Sequence, residues 1–150
     1  MVQMNNKQLK KAKKGTKEEP IRNFNTEELV SAWVSMWNSY NLSLVEKLFL
    51  ADSNVTYFSS EEEGLIKGIT ALREHHKGFG FVEGGKVQPN KLWVENLQTN
   101  IYGPVAIVNG VWFFRRGSKD SGEPQHGPVT IVFVQTEDEY RIAHMHFANY

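Results

Sequence analysis

Two histidines near the end of the chain, His144 and His146, stand two residues apart in the run YRIAHMHF. Residues i and i+2 of an extended strand leave the same face, so the two imidazoles form a pair. Three chemistries suit it. The pair can chelate a metal with His126 or a glutamate completing the site, rest as neutral rings hydrogen-bonded in a polar patch, or act as a general base near neutral pH. No third ligand follows at a recognisable spacing, so no metal is assigned. Cysteine is absent, which removes disulfides, thiolate sites and Cys nucleophiles. No cofactor is expected: Gly78, Gly80, Gly84 and Gly85 follow a helix instead of joining a strand to one, against a nucleotide-binding loop.

Tyr57 joins the two histidines as a catalytic candidate, because its hydroxyl needs a partner if buried within NVTYFSS. Trp33, Trp37 and Tyr40 recur at helical spacing and read as a core stripe that can also wall a pocket, since ligand sites are mostly apolar. His75 and His76 read as surface residues and Glu61–Glu63 as a solvated turn. Arg115 and Arg116 read as solvated, although Arg115 shares parity with Asn109 and could reach an anionic ligand.

These groups need elements to hold them. Asn25 and Glu28 have capping-box spacing, and Phe24 with Leu29 the spacing of a hydrophobic staple, so a helix is expected over about residues 26–39. Ser43 and Glu46 suggest a second, short helix. A strand over Asn54–Ser60, an acidic turn and a short return at Leu65–Lys67 precede a third helix, ALREHHKGF, with Thr70 as its cap. From Lys86 the chain reads as four strands: Lys86–Tyr102, Val105–Arg116, Pro128–Thr136 and Tyr140–Asn149. Pro89 places the first at an edge or bulge. Helices segregated from an antiparallel sheet indicate an α+β domain.

The 150 residues suit one domain with a substantial core, and four Trp, nine Phe and five Tyr supply an aromatic interior. Net charge is zero, but residues 1–19 carry six Lys against Glu18 and Glu19. The remainder holds eleven basic and fifteen acidic residues. Residues 1–22 are expected to be a disordered basic tail preceding a domain at 23–150. The balance gives no argument for nucleic acid, and no apolar run approaches the ~20 residues of a membrane span. Cytoplasm is the default location, with a processed secreted or periplasmic form as the alternative.

The order helix, helix, small hairpin, helix, four-strand meander resembles the nuclear transport factor 2-like superfamily, within it the SnoaL-like and ketosteroid-isomerase-like proteins. The resemblance covers about Thr26–Phe147 and is carried by EELVSAWVSMWNSYNLSLVEKLF, ADSNVTYF, GITALREHH and YRIAHMHF. The closing strand also resembles the histidine-x-histidine end of the kinase association domains in that superfamily. The resemblance implies a cone-shaped curved sheet wrapped around the helices, an apolar pocket at its open end, and homodimers joined through the outer sheet face. It also implies that His144 and His146 look into the cone and that Tyr57 lies at the pocket centre. The isomerases' carboxylate base would fall at Tyr57, their oxyanion-hole tyrosine at Trp33 and their aspartate near Thr130. None of the three keeps its chemistry: a phenol of ordinary pKa near ~10 is no substitute for a carboxylate base.

The expected function is therefore binding of a small apolar or amphipathic molecule in a pocket lined by Trp33, Trp37, Tyr57, Thr130, His144 and His146. An isomerase, cyclase or hydrolase using a pocket histidine with Tyr57 is one alternative, and a protein-association module is another.

Overall fold

The computed structural model describes residues 25–117, 122–137 and 139–150. The expected tail at residues 1–22 and the Phe24 half of the staple lie outside them. Helix α1 (Thr26–Ser39) starts where the capping box places it: the Asn25 side chain accepts from the Glu28 amide at 3.1 Å. It ends at Tyr40, which takes a left-handed conformation (φ 51°). The Asn41 side chain, not Ser43, then caps a 3₁₀ turn at Leu42–Leu44 that runs into α2 (Val45–Leu48). Strands β1 (Thr56–Phe58) and β2 (Leu65–Lys67) form the small hairpin, and α3 spans Ile69–Gly78. Its N-terminus falls at Gly68 without a side-chain cap, so Thr70 does not play that part.

The meander follows as β3 (Lys91–Tyr102), β4 (Val105–Arg115), β5 (Gln125–Thr136) and β6 (Glu139–Phe147). The six strands form one curved, unclosed sheet in the order β2-β1-β6-β5-β4-β3. One pairing departs from the expected antiparallel pattern: β1 lies parallel to β6, with Tyr57 opposite Met145. No helix among the described residues is long and apolar enough to cross a membrane.

The helices occupy the inner face of the sheet. Asn38 docks α1 on β3 as an added strand would: its Nδ2 donates to the Leu92 carbonyl (3.0 Å) and its Oδ1 accepts from the Leu92 amide (2.8 Å). Trp33, Met36, Val45, Phe49, Ile131 and Met145 are fully enclosed between the layers. Burying each such side chain stabilises the fold by about 1.5–3 kcal/mol.

Register decides which face each candidate residue occupies. A bulge interrupts the β5–β6 ladder: Val132 faces His144, but Phe133 faces Ile142, leaving Ala143 as the extra residue. The Ile142 carbonyl accepts from the Leu50 amide at 2.8 Å, tying the bulge to the chain after α2. Past it, Met145 and Phe147 point inward with Ile142 and are buried, while His144 and His146 take the opposite face.

A candidate ligand pocket at the open end of the sheet

The inner face closes on a small pocket. Trp37 of α1, Tyr57 of β1, Phe79 after α3, and Leu92, Trp112, Phe114 and Phe147 of the sheet form its apolar wall. Ser59, Ser60, Glu61, Arg116 and Gln125 form a polar mouth. The enclosed space is about 40 Å³, room for a few water-sized groups. Glu61 is the centre of the mouth: its Oε2 accepts from Gln125 Nε2 at 2.6 Å, and Arg116 Nη2 stands 3.7 Å from Oε1. Gln125 also donates to Asn149 at 3.0 Å, and the Arg116 guanidinium lies over the Phe114 ring, 5.1 Å from its centroid.

Two residues of this wall, Trp37 and Tyr57, carry polar groups. The Trp37 indole N–H is buried and meets no hydrogen-bond partner among the described residues. Tyr57 is fully buried, and burial alone pushes its phenol well above its ordinary value, so it is a neutral donor.

Of the six pocket residues expected from sequence, Trp37 and Tyr57 line the pocket. Trp33 lies beneath it, packed on Phe147 at 5.7 Å between ring centroids. Thr130, His144 and His146 are corrections: all three stand on the outer face. Across the strands Phe58, His146, Thr130 and Asn109 form one row, and Thr56, His144, Val132 and Ile107 the next. Thr130 donates to Asn109 Oδ1 at 2.6 Å. His144 Nδ1 shares a 2.8 Å hydrogen bond with the Thr56 hydroxyl, and burial, then the neighbouring His146, lowers its pKa. The physical reason is the Ala143 bulge, which sets both imidazoles opposite the inward side chains.

The histidines of α3 are the second correction, for both are enclosed. His76 is completely buried and donates from Nδ1 to the Leu72 carbonyl at 2.8 Å. Its Nε2 is left as a buried acceptor with no partner, and burial drives its pKa down to about 4. His75, its side chain 7% exposed, meets Glu62 Oε2 at 2.9 Å through Nδ1. Its Nε2 is also buried without a partner. Burial lowers the His75 pKa against the opposing pull of Glu62. The acidic turn is therefore tied to both the mouth and α3. One signal for His76 was present in sequence: Ile69, Leu72, His76 and Phe79 continue a single helical stripe. Arg116, not Arg115, reaches the mouth; Arg115 Nη1 donates to the Gly122 carbonyl at 2.9 Å.

Beside the pocket a wide groove of about 780 Å³ runs between the β1–β2 turn and α3, lined by Glu62, Leu65, Glu74, His75 and others. Glu61 and Phe79 line both spaces. No group of three or more metal-ligating side chains among the described residues could hold an ion.

Solved structures share this fold. A nuclear transport factor 2-like protein of unknown function from Pseudomonas putida superposes with a TM-score of 0.71 at 13% identity, over 82% of each chain. The fold is that of the nuclear transport factor 2-like proteins. A cystatin-like-fold protein from Caulobacter vibrioides gives a TM-score of 0.66 at 14% identity, over 83% of this chain and 87% of the other. A Shewanella frigidimarina protein named as a candidate ketosteroid isomerase gives 0.63 at 17% identity, over 81% and 92%. No family model and no curated protein matches the sequence. Identities this low establish the nuclear transport factor 2-like fold and leave the ligand to be argued from the site.

Proposed function

We propose that the chain is a small-molecule-binding domain whose pocket takes a neutral apolar or amphipathic ligand. One observation carries this reading. An apolar wall presents the Trp37 N–H without a partner and the Tyr57 hydroxyl as a neutral donor, where buried polar groups are normally hydrogen-bonded. A ligand oxygen accepting from them meets that demand. The ring of Glu61, Arg116 and Gln125 suits a polar end left at the mouth. Because the enclosed space is about 40 Å³, anything larger than a few heavy atoms must part that ring. The resemblance puts the carboxylate base of the isomerases at Tyr57, whose phenol is no substitute for it.

Untargeted mass spectrometry of the purified protein should detect a co-purifying neutral molecule, and a naphthalene-based fluorescent probe should bind competitively with it. Tyr57→Phe should weaken the probe about 2- to 10-fold, the value of one hydrogen bond. No probe binding at millimolar concentration would reject the pocket reading.

A second reading concerns association, and it is favoured by the outer face. Trp93 and Phe113 stack there (5.3 Å, 6°), Phe113 stacks on His126, and Phe58 is 37% exposed. We propose that a second copy of the chain covers this face.

A further inference from the structure

The groove between the β1–β2 turn and α3 holds an acceptor that the fold leaves unused. Glu62 and His75 both line it, with Leu65, Ile66, Glu74 and Phe79. A carboxylate only accepts, so the 2.9 Å contact with Glu62 Oε2 fixes the His75 proton on Nδ1 and leaves a lone pair on Nε2. The His75 side chain is 7% exposed, and its Nε2 is buried with no partner among the described residues. The rings packed on it do not answer that need. Phe79, at 5.1 Å between centroids, is apolar, and His76, at 5.7 Å, gives its one ring proton to the Leu72 carbonyl. Tyr57 packs at 5.4 Å, and its hydroxyl makes no bond to Nε2. The groove's charge says what kind of donor would suit. Three carboxylates, Glu61, Glu62 and Glu74, line it against one ammonium, Lys67. Glu61 is engaged by Gln125 and Arg116, whereas Glu62 and Glu74 keep side chains 56% and 64% exposed.

We infer that this groove is a second ligand site, for a primary alkylammonium whose N–H donates to His75 Nε2 and whose charge is met by the Glu62 and Glu74 carboxylates. Leu65, Ile66 and Phe79 take the alkyl stem, much as a lysine stem covers apolar surface while its head stays charged. The half-buried Phe79 ring turns aside to admit the N–H. An anion would meet the two carboxylates, and a neutral donor would leave their charge unanswered. The site is separate from the pocket for a neutral ligand and does not rest on that reading. Burial keeps His75 neutral near pH 7, so Nε2 accepts there. The titratable groups around His75 are Glu62 of the turn, Tyr57 of β1 and His76 of its own helix, with Glu61, Lys67 and Glu74 along the groove. Protonation would make Nε2 a donor and set two cations together. Affinity is therefore lost as pH falls through the His75 pKa, which burial holds below the ordinary histidine value against the opposing pull of Glu62.

The test is calorimetric titration of the full chain near neutral pH with butylammonium and with butyltrimethylammonium. The second cation carries the same charge and no N–H, so the pair separates a donor site from an acidic patch. Butylammonium should bind in the millimolar range or tighter, and at least about tenfold more tightly than butyltrimethylammonium, the value of a hydrogen bond to a charged group. His75→Phe keeps a ring against Tyr57, His76 and Phe79, and it should erase that preference while retaining the fluorescent pocket probe. Glu62→Gln should weaken butylammonium about 2- to 5-fold, as for an exposed ion pair. Lowering the pH should weaken it through a midpoint between the carboxylate range and the ordinary histidine value. Equal binding of the two cations would leave an acidic patch only, and a preference that survives His75→Phe would put the acceptor elsewhere; either overturns the inference. Butylammonium that binds only after the six Lys of residues 7–17 are changed to Gln would mean that the chain's own lysines fill the groove, and the free-ligand site falls. No butylammonium binding by a protein that still takes the pocket probe rejects the groove and leaves the pocket standing.

Discussion

His76 is fully buried with its pKa pushed down to about 4, chiefly by burial; its bond to Leu72 pulls upward and the neighbouring His75 pushes further down. A depressed folded-state pKa means that the unfolded chain binds the proton more readily. His76 therefore stabilises the fold fully above about pH 6.5, and that contribution drains away as pH falls toward 4. The loss should reach about 3 kcal/mol. Urea titrations at pH 7.5 and 4.5 should show a steeper loss in wild type than in His76→Phe, and parallel losses would refute the assignment. Trp33 and Tyr57 divide differently between stability and binding. Trp33 has no exposed surface and lies under the pocket, so Trp33→Ala should cost roughly 3–5 kcal/mol in chemical denaturation. Tyr57→Phe keeps the ring against Phe49 and Phe147 and should change stability far less than it changes probe affinity.

At the scale of elements, the junction of α1 with β3 rests on one side chain. Asn38 satisfies both the amide and the carbonyl of Leu92, so Asn38→Leu leaves two backbone groups unpaired at the start of the edge strand. The expected cost is about 1–3 kcal/mol, together with faster hydrogen exchange at the Leu92 amide. Unchanged exchange would show that water or a neighbour replaces Asn38. The helices and strands were legible because their signals are local: the Asn25–Glu28 box, the α1 stripe, and β-branched runs between turns. The direction of His144 and His146 was not, because a bulge depends on how β6 meets β5. Its trace is a slip of parity, with Tyr140 and Ile142 apolar on even positions and Met145 and Phe147 on odd ones. Glu61, Gln125 and Arg116 meet at the mouth from three separated segments. No spacing within one segment announces such a meeting.

At the scale of the whole molecule, the sheet has two faces, and among the described residues helices cover one of them. The outer face joins the Trp93–Phe113–His126 stack to Ile107, Val132 and Phe58, with His144 and His146 among them. Such a surface, with apolar rings across it and the Glu95 carboxylate held by the Trp93 indole N–H at 3.0 Å, suits its own image across a two-fold axis. A stable dimer would bury about 1,200–2,000 Å² in total. Sedimentation at micromolar concentration and pH 7.5 should therefore give twice the 17.2 kDa chain mass. Phe113→Lys should return it to the monomer, because two like charges would be desolvated against each other. Acid should act in the same direction. The His144 pKa is already lowered by burial and by the neighbouring His146, so protonating His144 puts charge into the contact. Association should hold above about pH 6.5 and weaken below it. His144→Gln with His146→Gln should flatten that dependence without lowering the dimer fraction at pH 7.5. A wild-type protein that sediments as a monomer would leave the outer face to some other partner.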